Sequence, residues 1–320
     1  MLGVLSVLIA DVSRAEALAE EPFVCAGVYD QEVLAAGGLA KLAQGETTQL
    51  TALVIFAKFA GEAPEDTLAP AHADDLFDPD LFGSLSHFYH TMSCGQFEIT
   101  GSVLPVRYTS AHEGAYYVVV DSAATTGNFG QFNREILQQA DPDVDAGQFD
   151  NDGPDGIPNS GDDDRMADFV FVNLLSTPEG FFVGSATGIA RLGFEEPYVT
   201  SDSSASGGLI QVLVGATQRV GAFAYTVGVM AHELGHWLGL PDLYDRTLGD
   251  EPNPEQHSAG IGKWGLMGQG STGWNGNDGP VPLCAWSREQ LRWIGQENAD
   301  LVVVEAPMTE VEIEALARGD

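Results

Sequence analysis

Residues 227–239, VGVMAHELGHWLG, constrain this chain more than any other stretch, because they place two histidines, a glutamate and three glycines in one short segment. At about 100° per residue, a helix here gathers Val227, Met230, Ala231, Leu234, Trp237 and Leu238 on one side. His232 and His236, roughly 40° apart, then lie on the opposite side and are expected to face away from the core contact. Gly228, Gly235 and Gly239 form a strip beside the histidines, and a glycine within a helix costs roughly 1 kcal/mol relative to alanine. That cost implies that something approaches the helix closely.

Imidazoles one helical turn apart chelate one metal through their ring nitrogens, and Glu233, offset around the helix, reaches a water on that metal without competing as a ligand. Catalytic zinc takes three protein ligands and keeps one position open. Gly239 in a left-handed conformation turns the chain so that Asp242, after Leu240-Pro241, meets the metal from another side. The spacing His-Glu-x-x-His-x-x-Gly-x-x-Asp is thus a complete three-ligand set. Asp245 is the alternative third ligand, and otherwise an acceptor that orients a ligand histidine. His257, farther along, is either an oxyanion-stabilising group or a loop-packing residue.

The chain has 320 residues and 44% hydrophobic composition, enough for one large domain or two small ones. Its formal net charge of -34, from 13 Lys+Arg against 47 Asp+Glu, opposes encounter with nucleic acid or an anionic membrane surface and favours divalent cations. No apolar run reaches the roughly 20 residues that span a bilayer. The opening MLGVLSVLIADVSRAEALAEE has a short apolar run and a cleavage-like Ala17-Leu18-Ala19, without a basic start, and predicts a secreted protein. Three cysteines allow at most one intrachain disulfide: Cys94 and Cys284 are either that pair or small buried residues.

Hydrophobic patterning predicts a buried strand over 50–59, a helix around Leu81, Leu85, Phe88 and Tyr89 stopped by Gly95, and a strand in QFEITGSV. A helix ending over 133–141 and a central strand over 167–175 follow, with GLIQVLVG (208–215) as the clearest strand of a Gly- and Ser-rich region. The order points to an α/β sandwich with a mixed sheet. Leu283, Trp286, Leu291 and Ile294 predict a packing helix near the end of that domain.

The acidic loop 141–168 holds DNDGPDG, which resembles a calcium loop with a proline inserted. Asp150, Asp152 and Asp155 are the expected calcium ligands, with Asp162 and Asp164 also in reach; the bland alternative is a solvated acidic loop.

Residues 260–276, GIGKWGLMGQGSTGWNG, form a Gly-rich turn around Met267 that resembles the Met-turn of metzincin-type metalloproteases. Together with HELGHWLGLPDLYD, GSLSHFYHTMSCGQFEITGSV and PLCAWSREQLRWIG, it makes the chain resemble the M6 family of secreted bacterial metalloproteases, the immune inhibitor A-like peptidases, over most of its length. The resemblance implies a zincin-like α/β fold: a mixed twisted sheet, an active-site helix, and a smaller irregular C-terminal subdomain carrying the Met-turn. It implies His232, His236 and Asp242 as zinc ligands, Glu233 as general base and Met267 as the turn methionine. The tyrosine that follows the Met-turn in astacin-like and serralysin-like proteases has no counterpart, since no tyrosine follows Tyr244.

The expected protein is therefore a secreted, monomeric zinc endopeptidase with calcium as a second metal and protein or peptide chains as substrates. Glu233 would activate a zinc-bound water, and substrate would pair with an edge strand from 180–215. A non-catalytic calcium-dependent binding or adhesion module on a degenerate protease fold is the alternative, and the intact Glu233 argues against it. The expected boundaries are 1–19 for a signal peptide or precursor remnant and 20–48 for a pro-segment or linker. The zinc metallopeptidase domain follows over 49–298, and 299–320 would begin a β-domain. If 20–48 is a pro-segment, Cys25 is positioned in sequence to act as an inhibitory thiolate.

Overall fold

The computed structural model describes residues 25, 48–118, 127–182, 186–244 and 260–294. Strands β1 (Thr48–Lys58), β2 (Phe97–Thr109), β3 (Phe169–Leu174), β4 (Gly188–Ile189) and β7 (Gly215–Arg219) build one sheet in the order β2-β1-β3-β7-β4. The first four strands in that order run parallel, and β4 closes the edge antiparallel to β7. A separate ribbon pairs β5 (Tyr198–Ser203) with β6 (Leu209–Val212).

Parallel neighbours need crossovers, and helices supply two of them. Helix α1 (Leu85–Met92) lies between β1 and β2, and α2 (Phe129–Ala140) between β2 and β3. Ser84 caps α1 by accepting a hydrogen bond from the His87 amide at 3.0 Å, and Gly95, at φ +75°, lies in the turn that follows it. The sheet is buried on both faces, which explains why β1 has a nearly continuous apolar run rather than strict alternation. Ala52, Val54 and Phe56 point to one core with Phe169 and Phe171, whereas Leu53, Ile55 and Ala57 point to a second with Val170 and Val172. The second core is covered by Phe132, Ile136 and Leu137 of α2.

The predicted strand over 208–215 is instead cut in two. Its first half is β6 of the ribbon, and the chain then crosses into the main sheet as β7. The crossing brings Gly215 so close to β3 that a Cβ there would stand 2.1 Å from the Val170 carbonyl oxygen. An apolar run does not reveal such a change of sheet, because both halves are extended chain with apolar residues.

Helix α3 (Phe223–Trp237) carries the histidines and packs on the first core, with the Trp237 ring edge-on to Phe169 at 5.7 Å. Its other side departs from expectation. Every residue from Tyr225 to Trp237 is buried, histidines included, so the helix has no solvated face. The cover is the segment around 266–271. A Cβ on Gly228 would lie 1.7 Å from the Ser271 carbonyl oxygen, and one on Gly235 would lie 2.6 Å from Met267 Sδ. The close approach implied by the glycine strip is therefore made by this segment.

Helix α4 (Ala285–Gln290) follows, with Leu283 and Leu291 buried as expected. Trp286 is exposed, and Trp293 fills the core position instead, stacked on Phe97 at 5.9 Å. Buried Arg288 donates from Nε to the Met92 carbonyl at 2.8 Å, tying α4 to the C-terminal end of α1.

Gly228→Ala tests the close approach. At an ordinary helix position the change would stabilise by about 1 kcal/mol. Against the Ser271 backbone it should instead destabilise by about 1–3 kcal/mol, read as a lower urea midpoint at unchanged slope. A midpoint equal to or above that of the parent chain would contradict the packing described.

Candidate metal centre

Helix α3 ends in a Schellman turn, which is what brings the fourth polar residue to the first three. The Leu240 amide donates to the Gly235 carbonyl at 3.0 Å, and the Gly239 amide to the His236 carbonyl at 2.8 Å. Gly239 adopts φ +94°, a conformation that disfavours any residue with a Cβ. The chain reverses over Leu240-Pro241, and the Leu243 amide is then held by the Met267 carbonyl at 2.7 Å. Asp242, between these anchors, turns a fully buried side chain back towards the helix.

Its Oδ1 lies 3.2 Å from His232 Nε2 and 3.3 Å from His236 Nε2. The other ring nitrogens are already used: His232 Nδ1 meets the Leu266 carbonyl oxygen at 3.0 Å and His236 Nδ1 meets the Leu240 carbonyl oxygen at 2.8 Å. A carbonyl oxygen only accepts, so each Nδ1 carries a hydrogen and each neutral ring presents a lone pair at Nε2. Two such lone pairs and a carboxylate oxygen repel one another unless each imidazole gains a proton or all three share a cation. Backbone carbonyls that set the tautomer are also what ligand histidines use to fix their orientation. The donor set therefore fits a metal.

Glu233 lies beside this point and is buried throughout, with no hydrogen-bond partner for its Oε1. Burial pushes its carboxyl up to about 8, with Asp242 adding to the rise and His232 opposing it. Burial alone would also raise Asp242, but the two imidazoles on its Oδ1 hold it well below the usual carboxylate range. Met267 is buried, with Sδ against the backbone of Gly235, the residue before His236. Tyr89 of α1 donates its hydroxyl to the Ala231 carbonyl at 2.6 Å, on the same side of the helix as Met267.

One residue at this centre escaped sequence reasoning. Tyr244 lies close to this acidic group: burial first, then the charges of Cys25, Asp242 and Glu233, raise its hydroxyl well above the usual range. Cys25, expected as an inhibitory thiolate if 20–48 is a pro-segment, is also found here, with its Sγ 3.4 Å from His236 Nε2. Asp245 and His257 fall outside the described residues. So do residues 1–24 and 295–320, the parts of the chain in which a signal peptide and a further β-domain were expected.

The acidic loop holds a second group. Asp150, Asp152 and Asp164 each offer an oxygen within 4.8 Å of the others. Asp150 is fully buried, with no hydrogen bond to either carboxylate oxygen. Burial and then the charges of Asp163, Asp164, Asp152 and Asp168 push it up to about 7. Asp155 stands outside the group, where its Oδ1 accepts from the Ile157 amide at 2.8 Å. Cys94 and Cys284 form no disulfide: Cys94 is exposed and accepts from Arg288, and Cys284 meets the Ser287 hydroxyl at 3.3 Å.

Residues 44–298 match the family described as immune inhibitor A peptidase M6, catalytic domain. Two curated relatives, the pre-pro-metalloprotease PrtV of Vibrio cholerae serotype O1 strains M66-2 and ATCC 39315 (El Tor Inaba N16961), are each 26% identical over 281 residues. The alignment covers 75% of this chain and 28% of each relative's length.

Tyr244→Phe is expected to keep the fold, since the ring remains, and to weaken metal retention by about 10–100-fold, as loss of a polar group beside a ligand usually does. Competition with a graded chelator series measures it. Unchanged retention would mean that the Tyr244 hydroxyl does not support Asp242.

Proposed function

The chain belongs to the immune inhibitor A family of M6 peptidases, and on that footing we propose that it is a secreted zinc endopeptidase with Glu233 as its general base. His232, His236 and Asp242 would hold the metal. The observation that carries this reading is the convergence of both Nε2 atoms on Asp242 Oδ1, at 3.2 and 3.3 Å, with the partnerless Oε1 of Glu233 beside it. Zinc, when bound, polarises the scissile carbonyl and makes water a nucleophile near neutral pH.

Glu233 takes a proton from the attacking water and passes it to the leaving amine nitrogen. Its burial suits that task, because a carboxyl raised towards neutrality both accepts and returns a proton readily. The Leu266 and Leu240 carbonyls keep the two imidazoles in the binding tautomer, and the Leu243 amide, held by the Met267 carbonyl, anchors the chain beside Asp242. Met267 is read as the methionine of a Met-turn in a zincin-like arrangement, supported by its contact with the α3 backbone at Gly235. Edge strand β4 would pair with the backbone of an extended protein or peptide substrate. Secretion is supported by the signal-like start of the sequence, and no helix among the described residues is long and apolar enough to cross a membrane.

Glu233→Gln preserves shape while removing the base. Casein hydrolysis should fall towards the upper end of 10²–10⁴-fold, with zinc stoichiometry by metal analysis unchanged. Near-parental turnover with zinc still bound would remove Glu233 from the mechanism.

We further propose that Asp150, Asp152 and Asp164 hold calcium. The buried Asp150 carboxylate, with no hydrogen-bond donor of its own, supports this, because a buried ionised group requires a compensating partner. Calcium at about 100 times its Kd adds roughly 2.7 kcal/mol to stability. At about 2–4 °C per kcal/mol, the inactive Glu233→Gln protein should melt roughly 5–10 °C higher with calcium than with magnesium at equal ionic strength. Adding Asp150→Asn should abolish that difference. A rise that persists in the double variant, or one equal in magnesium, would reduce the loop to a solvated acidic surface.

A further inference from the structure

We propose that Cys25 supplies a fourth ligand to the metal held by His232, His236 and Asp242, so that the uncut chain is latent and opens when Cys25 is withdrawn. The inference rests on the metallopeptidase reading of the same site. Its basis is geometric. Cys25, His232, His236 and Asp242 each offer one ligand atom, all within 4.8 Å of one another. Tetrahedral zinc, with bonds of about 2.0–2.2 Å to N and O and about 2.3 Å to S, separates its ligand atoms by roughly 3.3–3.7 Å. The observed separations are 3.2 and 3.3 Å from Asp242 Oδ1 to the two imidazoles, and 3.4 Å from Cys25 Sγ to His236 Nε2. The sulfur thus lies among the three other donors at a spacing that one metal can bridge.

A second feature points the same way. Cys25 Sγ faces Glu233 Oε2 at 3.8 Å, so the thiol occupies the space beside the general base that an attacking water would need. The other oxygen of the same buried carboxylate, Oε1, has no hydrogen-bond partner among the described residues. The backbone of Cys25 also forms a parallel bridge with Gly188 of β4, on the outer strand of the main sheet. One residue therefore fills the open metal position and covers the edge against which an extended substrate would pair. Catalytic zinc sites keep a position open, and a set completed by thiolate has the character of a closed structural site.

Binding requires Cys25 to lose its thiol proton to solvent as its sulfur pairs with the metal, with no change of oxidation state. Opening requires the metal–sulfur contact to break. Hydrolysis of one peptide bond between Cys25 and Thr48, by an already open copy or another protease, adds one water across that bond. It converts Cys25 from a tethered ligand into one that dissociates, because the high effective concentration of the tether is lost.

The test loads the uncut chain with cobalt(II) in place of zinc and records the sulfur-to-cobalt charge-transfer absorption of the near ultraviolet. The band should be present in the parent chain and absent in Cys25→Ser at equal cobalt stoichiometry. If Cys25 holds the site closed in about 99% of molecules, Cys25→Ser should raise the initial rate of casein hydrolysis by the uncut chain roughly 100-fold. A measurement on the parent chain alone guards against a variant that misfolds: zinc should protect Cys25, and neither Cys94 nor Cys284, from iodoacetamide, as mapped by peptide mass spectrometry. Cobalt bound without the band, or Cys25 alkylated equally with and without zinc, overturns the inference while leaving the metallopeptidase reading intact. Failure of both the parent chain and Cys25→Ser to bind cobalt overturns both.

Discussion

The approach of the 266–271 segment to α3 is the contact on which the rest of the centre depends. With glycine at 228 and 235, the backbone at Ser271 and the Met267 thioether come into direct contact with the helix, at distances no other residue would permit. That proximity lets the Leu266 carbonyl reach His232 Nδ1 and the Met267 carbonyl hold the Leu243 amide. One short segment thereby sets the tautomer of the first histidine and the position of Asp242. The glycines cost roughly 1 kcal/mol each in helix propensity, and the packing they allow offsets that cost.

Burial follows from the same contact and governs the chemistry. A helix packed on the sheet by one face and covered by a loop on the other leaves its polar side chains in a medium that weakly solvates charge. The consequence differs between the two acids. Glu233, which lacks a partner on Oε1, is raised towards neutrality, whereas Asp242, on two imidazoles, is lowered. Neighbouring carboxylates pushed in opposite directions divide naturally into a proton carrier and a permanent anion. Asp150 repeats the first case at a distance, buried amid like charges in a chain that carries 47 acidic residues.

The main sheet places this arrangement at its edge. Four parallel strands bury both faces, so the core itself offers no surface for a substrate. Among the described residues of this sheet, β2 and β4 are the outer strands, and β4 is bridged by Cys25. The link between the edge and the metal centre is thus made by a residue that precedes the whole sheet in sequence.

What the sequence determined by itself was local. The helical spacing of His232, Glu233 and His236, the cost of the glycine strip, the turn at Gly239 and the reach to Asp242 all follow from backbone geometry within a dozen residues. The two-sided burial of β1 was likewise legible in its apolar run, and the concentration of acids around Asp150 was plain. Tertiary structure decided the rest. It buried the histidine face that helical periodicity assigned to the side away from the core, and it split 208–215 between two sheets. It exchanged Trp286 for Trp293 in the core and chose Asp164 over Asp155 as the neighbour of Asp150 and Asp152. It brought Cys25 to Glu233 across 208 positions of chain. Periodicity and spacing report only which residues share a face or a turn; which distant segment covers that face is set by packing, through contacts that no local pattern encodes.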